Sequence, residues 1–358
     1  MKRLVVVRKK GEIKMYQPLQ LLNNYTEKSD ISWQELDLVR ILYRRQHKLP
    51  DWIYLTNIEA FYAFRCKGIT TQEEETDQNF KSQIMYISYM LSVLASWRIS
   101  KQVYHFEPEM EELLYSQAKD ELLLPVDVLK NMPYSCVYFE SPNLYEDQFH
   151  GFFACFDIIE DMELLKFVIL HNNGETVNIH SIELKAGQTL KECMATLLKI
   201  QYNSQDISKK LDYSLSVVEK MLQLVLYVCA ENADIQNADP GRKTVKPKTI
   251  RDIKDKYREI SRWDVGNNVI KRIRKHKKAY NTTSSSETDK EENNNQTASP
   301  IERHHVTPHV RRGHWQSYWV GKKDGSEERR LVLRWKHFIY VNADGPDELP
   351  VTINCIQE

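Results

Sequence analysis

Apolar positions along this chain follow two different periods, and the change of period marks where helices give way to strands. Near the start, Leu4 to Val7 reads as a short strand followed by a turn at Gly11. Ser32 and Glu35 can close a capping box, and Leu36, Val39, Leu42 and Tyr43 behind them recur at helical spacing, predicting a helix that runs until Pro50. Residues 70–79 are polar and acidic and read as a loop. From about Phe80 to Val103 a helix carries Ile84, Ile87, Leu91 and Leu94 on one side and Tyr86, Met90, Val93 and Trp97 on another, the pattern of a helix buried in a core.

The middle of the chain switches to short β-branched and aromatic runs separated by polar turns. Ser135 to Glu140, Gly151 to Ile159, Leu164 to Leu170 and Val177 to Ile182 predict an antiparallel meander, with Asn172, Asn173 and Gly174 as a turn. A further helix is predicted over Leu215 to Glu231, with Leu215, Val218, Leu222, Val225, Leu226 and Cys229 at helical spacing. The fold class this implies is α+β, with helices packed on one face of a mostly antiparallel sheet.

After the breaker Pro240-Gly241 the composition becomes basic. Ile250, Ile253, Tyr257 and Ile260 mark a short amphipathic helix. Beyond Trp263 a second one runs to about Tyr280, with Val269, Ile270 and Ile273 inward and Lys271, Arg272, Arg274, Lys275, Lys277 and Lys278 outward. Residues 281–300 are low in complexity and read as a disordered tether. Asp324-Gly325 then punctuates a predicted β-hairpin in which 313–321 pairs with about 330–338. The expected organisation is a 1–80 segment without an assigned role, an 81–240 body, a 241–280 basic helical segment, the 281–300 linker and a 301–358 hairpin module.

Charge sharpens this division. The formal net charge is +0, with 50 basic and 50 acidic side chains. Yet residues 1–240 hold 25 Lys and Arg against 34 Asp and Glu, whereas residues 241–278 hold 15 against 4. An acidic body joined to a basic face points to a polyanion or an acidic protein surface as partner. A solvated charged face is the plainer reading of a basic run, but acidic residues are missing from 265–280.

Several function classes recede. Lys2 and Arg3 precede only four apolar residues, so no secretory leader is read. The stretch from Ser82 to Trp97 is shorter than the roughly 20 residues of a membrane span and carries four serines, so no membrane partner is expected. Six scattered cysteines without C-x-x-C spacing fit a reducing cytoplasm and burial rather than disulfides or metal. No phosphate-binding, dinucleotide-binding, metalloprotease or nucleophile-elbow motif occurs, and neither a cofactor nor a catalytic residue is assigned. His304, His305, His309 and His314 are dense, but no neighbouring carboxylate or cysteine completes a metal-ligand pattern.

The segment TPHVRRGHWQSYWVG at 307–321 and its return RLVLRWKHFIYVN at 330–342 carry the most chemistry. Strand alternation puts Arg312, His314, Gln316 and Tyr318 on one face, and Arg311, Trp315, Ser317 and Trp319 largely on the other. Arginines interleaved with aromatic rings can grip phosphates and stack on bases, or anchor a protein contact. The plain alternative makes Trp315, Trp319 and Trp335 the hairpin's own core. A nuclease using His314 as base and Arg312 on the phosphate is a third reading.

These residues resemble the C-terminal signature of the second type V-A anti-CRISPR family and its mobile-element relatives. The positions that match are Pro308, His309, Arg311, Arg312, His314, Trp315, Tyr318, Trp319, Gly321, Arg334, Trp335, Val341 and Asn342. MPYSCVYFE, GFFACFDII, VLYVCAENADI and DVGNNVIKRIRK upstream resemble the family's other blocks, so the resemblance covers roughly 80–358. It implies a non-nuclease inhibitor that recognises the nascent N-terminal peptide of a target such as a type V-A CRISPR nuclease and brings about loss of its message. RNA or the ribosome, and a host nuclease, are the further partners it implies. A plain nucleic-acid-binding regulator of a phage or plasmid is the alternative from another class.

Overall fold

The computed structural model describes residues 7–9, 12–14, 17–69, 78–117, 123–141, 144, 149–171, 177–201, 207–238, 260–284, 309–311, 313–321, 330–336 and 339–341. They fall into two compact units, Met1–Val265 and Gly266–Glu358.

In the first unit, β1 (Val7–Lys9) and β2 (Glu12–Lys14) form a small hairpin, and α1 (Gln17–Ser29) follows. The predicted Leu4 to Val7 strand therefore meets the described residues only at Val7, where β1 begins. Helix α2 (Trp33–Gln46) starts as its sequence predicts: the Ser32 hydroxyl accepts from the Glu35 amide at 3.2 Å, and the Glu35 carboxylate accepts from the Ser32 amide at 2.6 Å. It ends before Pro50, because His47 is already extended and stacks its ring on Tyr43. Leu42, although it continues the helical stripe, is 43% exposed. Helix α3 (Asn57–Cys66) is capped in the same manner by Thr56 and Glu59.

Helix α4 (Gln78–Ser100) buries Met90, Leu91, Val93, Leu94, Ala95 and Trp97 completely. It stops short of Val103. Lys101 takes φ 46°, a left-handed conformation usually left to glycine, and the chain turns directly into β3 (Gln102–Phe106). Then come α5 (Pro108–Tyr115), α6 (Val126–Leu129), β4 (Cys136–Glu140), β5 (Phe149–Ile159), β6 (Met162–His171), β7 (Val177–Glu183), α7 (Leu190–Gln201), α8 (Ile207–Cys229), β8 (Ile235–Asn237) and β9 (Ser261–Val265). The expected amphipathic helix around Ile250 lies almost entirely outside the described residues.

One seven-stranded sheet has the order β7-β6-β5-β4-β3-β9-β8. The meander β4 to β7 is antiparallel, as its sequence predicts, whereas β3 runs parallel to both β4 and β9. Val265 thus belongs to the sheet, which is why the first unit extends so far along the chain.

Helices cover both faces, not one. Tyr138 and Phe139 are neighbours on β4 and so point to opposite sides. Tyr138 meets Trp97 of α4, while Phe139 meets Phe106, which in turn meets Tyr227 of α8. Strands apolar on both sides, such as CVYF and FFACF, are what a sheet buried on both faces requires. Five cysteines fall within the described residues; all are free thiols, and all but Cys66 are buried.

The second unit holds α9 (Asn267–Ser284), β10 (His309–Arg311), β11 (His314–Val320), β12 (Arg330–Lys336) and β13 (Ile339–Val341). Helix α9 outruns its predicted end at Tyr280 and takes in residues 281–284; residues 285–300 of the expected tether lie outside the described residues. Strands β11 and β12 pair antiparallel from His314↔Lys336 to Val320↔Arg330, the predicted hairpin. Strands β10 and β13 pair in the same register, so the two ladders are successive parts of one long hairpin. Among the described residues, no helix is long and apolar enough to cross a membrane.

Candidate nucleic-acid or partner interface

The hairpin sorts its aromatic residues by strand parity. Trp315 and Trp335 are directly opposite one another, their rings edge-to-face with centroids 4.8 Å apart. Trp335 is wholly buried, so it packs the hairpin and offers no surface to a partner. Gly313 is part of this packing: a Cβ there would lie 2.7 Å from the Trp335 ring and 3.0 Å from the Lys336 carbonyl oxygen. Trp319 differs, at 62% exposed, and is not core. Of the three tryptophans, the packing reading holds for Trp335, in part for Trp315, and not for Trp319.

The opposite parity gathers cations about a ring. The Tyr318 hydroxyl donates to Gln316 Oε1 at 2.7 Å, which fixes the ring's orientation. The Arg334 guanidinium lies 5.6 Å and the Lys336 ammonium 5.2 Å from the Tyr318 centroid. Both distances suit cation–π attraction, so two positive groups are held against one aromatic ring. His314 shares this face and is exposed. Lys336 was not singled out in the sequence; its place opposite His314 becomes visible only once the register is known.

His309 and Arg311 sit on β10, paired with Val341 and Ile339, and their side chains lie outside the described residues. Arg312 lies outside them as well.

Helix α9 follows Gly266, whose φ of 85° lets the chain leave β9, and the Ile270 amide donates to the Gly266 carbonyl at 3.0 Å. Val269 and Ile270 are buried, whereas Lys271, Arg272, Arg274 and Lys275 are exposed. Lys277 and Lys278 continue the helix, with side chains outside the described residues. The helix carries no acidic residue, so neighbouring charges are not neutralised within it.

A second polar group, unnoticed in the sequence, lies across the parallel strands β3, β4 and β9. Glu140 accepts from His105 Nδ1 at 3.0 Å and lies 3.6 Å from Arg262, which is itself 3.8 Å from Asp264. Burial pushes the Glu140 carboxyl up, but the His105 hydrogen bond and the Arg262 charge more than offset this and hold it below the usual range. An ionised carboxylate so engaged is a tie between strands, poorly suited to accept a proton. The pairing of β3 with β4 sets His105 beside Glu140, and the pairing of β3 with β9, distant in sequence, adds Arg262 and Asp264. Among the described residues, no group of three His, Cys, Asp or Glu side chains could hold a metal ion.

The family model described as AcrVA2-like, anti-CRISPR type V subtype A2 family, matches residues 104–343. The chain belongs to this family. A search of curated proteins finds no match. Among solved structures, the crystal structure of AcrVA2 is similar to it, with a TM-score of 0.61 and 17% identity over 92% of this chain and 100% of that one. At that identity the likeness concerns the fold, and it extends well beyond the residues that the family model matches. The matched segment of this anti-CRISPR family member runs from Tyr104 on β3 through α9 and the hairpin to its return strand.

Proposed function

We propose that this anti-CRISPR protein lowers production of its target nuclease, recognising the nascent N-terminal peptide and promoting loss of the mRNA, with the second unit contacting RNA or the ribosome. The observation that carries the RNA contact is the face on which Tyr318 is flanked by Arg334 and Lys336, supported by the exposed Trp319 and the wholly basic charge of α9. Guanidinium and ammonium groups neutralise phosphates, and an exposed indole offers a base a stacking surface. On this reading the protein is not an enzyme and acts in the bacterial cytoplasm, with a host nuclease degrading the message.

Ribosome profiling with RNA sequencing in a host expressing the protein tests the reading. One message should fall, and the fall should disappear when the first codons of that message are recoded to a different peptide. A fall that depends on nucleotide sequence and not on the encoded peptide would favour the plain nucleic-acid-binding regulator.

A further inference from the structure

The outward face of α2 is unusual for a helix at a surface. Its inner side buries Leu36 and Val39, yet Leu38, Ile41 and Leu42 on the other side are 56%, 48% and 43% exposed. Gln34, Leu38, Ile41 and Arg45 follow one another at spacings of four, three and four residues, the seam by which two helices pack side by side. A helix apolar on both sides ordinarily has a neighbour on each. Helix α2 also lies outside the residues that the family model matches.

We propose that this seam pairs with α2 of a second copy of the chain, antiparallel across a two-fold axis. Charge selects that occupant and that direction. At the first-turn end Glu35 lies 3.2 Å and Asp30 3.8 Å from the Lys67 ammonium, which leaves this end with one net negative charge, and the cation of the face, Arg45, lies in the last turn. In an antiparallel pair Leu38 of each helix meets Ile41 of the other, and Arg45 of each falls beside the Gln34–Glu35 end of the other. The ion pair then forms twice, as a two-fold interface requires. A parallel pair would set Arg45 against Arg45 and Glu35 against Glu35. Antiparallel helix dipoles favour the same arrangement. The helix is about 21 Å long, and a single helix pair covers less than the ~800 Å² per partner of a standard interface. The dimer is accordingly weak, with a Kd in the micromolar range.

Sedimentation equilibrium of the full chain over a concentration series should show the mass rising from monomer toward dimer. Ile41→Arg should hold it at monomer while leaving the circular dichroism spectrum unchanged, because Ile41 is on the outer side. Arg45→Glu, which keeps the apolar seam and sets like charges together, should raise the Kd at least several-fold. For direction, Leu38→Cys and Ile41→Cys proteins in a Cys66→Ser background are mixed and oxidised. The mixed cross-link should exceed either self-cross-link. A monomer mass at every concentration overturns the proposal, as does a dimer that Ile41→Arg does not weaken; predominant Leu38→Cys self-cross-linking overturns the antiparallel arrangement.

Discussion

The Lys166 ammonium lies 2.8 Å from the Asp157 carboxylate, with both side chains wholly buried. Lys166 also donates to Ser92 Oγ at 2.7 Å and stands over the Tyr89 ring, while Asp157 accepts the Asn57 amide at the first turn of α3. One ion pair therefore ties two helices, α3 and α4, to strands β5 and β6. Removing one partner leaves a buried charge uncompensated, which typically costs about 3–5 kcal/mol. Lys166→Met should lower the unfolding free energy in urea by that order. Adding Asp157→Asn should restore part of the loss, because the remaining group is then neutral. A single substitution that leaves the urea midpoint unchanged would mean that the pair does not hold the helices.

Gly313 makes a sharper local prediction. No side chain fits between its backbone and the Trp335 ring, which is itself fully buried and cannot swing aside cheaply. Gly313→Ala should therefore displace Trp335 and destabilise the hairpin by about 1–3 kcal/mol. Tryptophan fluorescence should report the change as a red shift.

How far the fold can be read from the sequence depends on where each element's partner lies. Strands β4 to β7 are legible because each is a run of apolar residues bounded by turn residues and paired with its neighbour in the chain. Strands β3 and β9 are not. Each has only five residues, β3 follows α4 with no glycine between them, and their mutual pairing joins residues about 160 positions apart. The capping box of α2 is local and legible, whereas the outward turn of Leu42 depends on the side from which the core approaches. The hairpin's residue types and pairing are visible in the sequence. Which tryptophan is buried is not, because Trp335 is covered through Gly313 and Trp315 and Trp319 is not covered in that way.

His180 gives the fold a pH dependence. Burial lowers its imidazole pKa from 6.5 to about 4, and among the described residues its Nε2 has no hydrogen-bond partner. The folded state thus binds a proton less readily than the unfolded chain does. This group's contribution to stability should be constant above pH 6.5 and fall as pH drops from 6.5 toward 4, with a total on the order of 3 kcal/mol. His180→Phe should flatten that part of the stability profile in urea titrations at successive pH values. An unchanged slope between pH 6.5 and 4 would assign the acid sensitivity to other groups.

The basic helix and the hairpin should contribute differently to RNA affinity. Replacing Lys271, Arg272, Arg274, Lys275, Lys277 and Lys278 with Gln should weaken binding and flatten its dependence on salt, since fewer counterions are released. Trp319→Ala should weaken binding by about 1–3 kcal/mol with the salt slope unchanged, because stacking releases no counterions. Filter binding over a range of salt concentrations separates the two. An unaltered slope after the Gln substitutions would return α9 to a merely solvated face.

The last prediction separates binding from bond-breaking at the hairpin. His314 is exposed on the face that carries Arg334 and Lys336, and its directly opposed residue is Lys336, not a carboxylate. A histidine set between cations on an exposed face is suited to contact a phosphate, whose charge those cations attract. His314→Gln should therefore retain much of the activity in cells, whereas loss of a general base typically costs a factor of about 10²–10⁴ in rate. Arg312→Lys keeps the charge and loses the planar fork that bonds phosphate in bidentate fashion, so it should weaken RNA binding more than a charge count implies. Purified protein is incubated with RNA and divalent metal, free of ribosomes and host nucleases. The RNA should stay intact while the target message still falls in cells, which would place the cleavage in a host enzyme. Cleavage by the wild-type protein that disappears with His314→Gln would overturn the non-enzymatic reading and make His314 a catalytic residue.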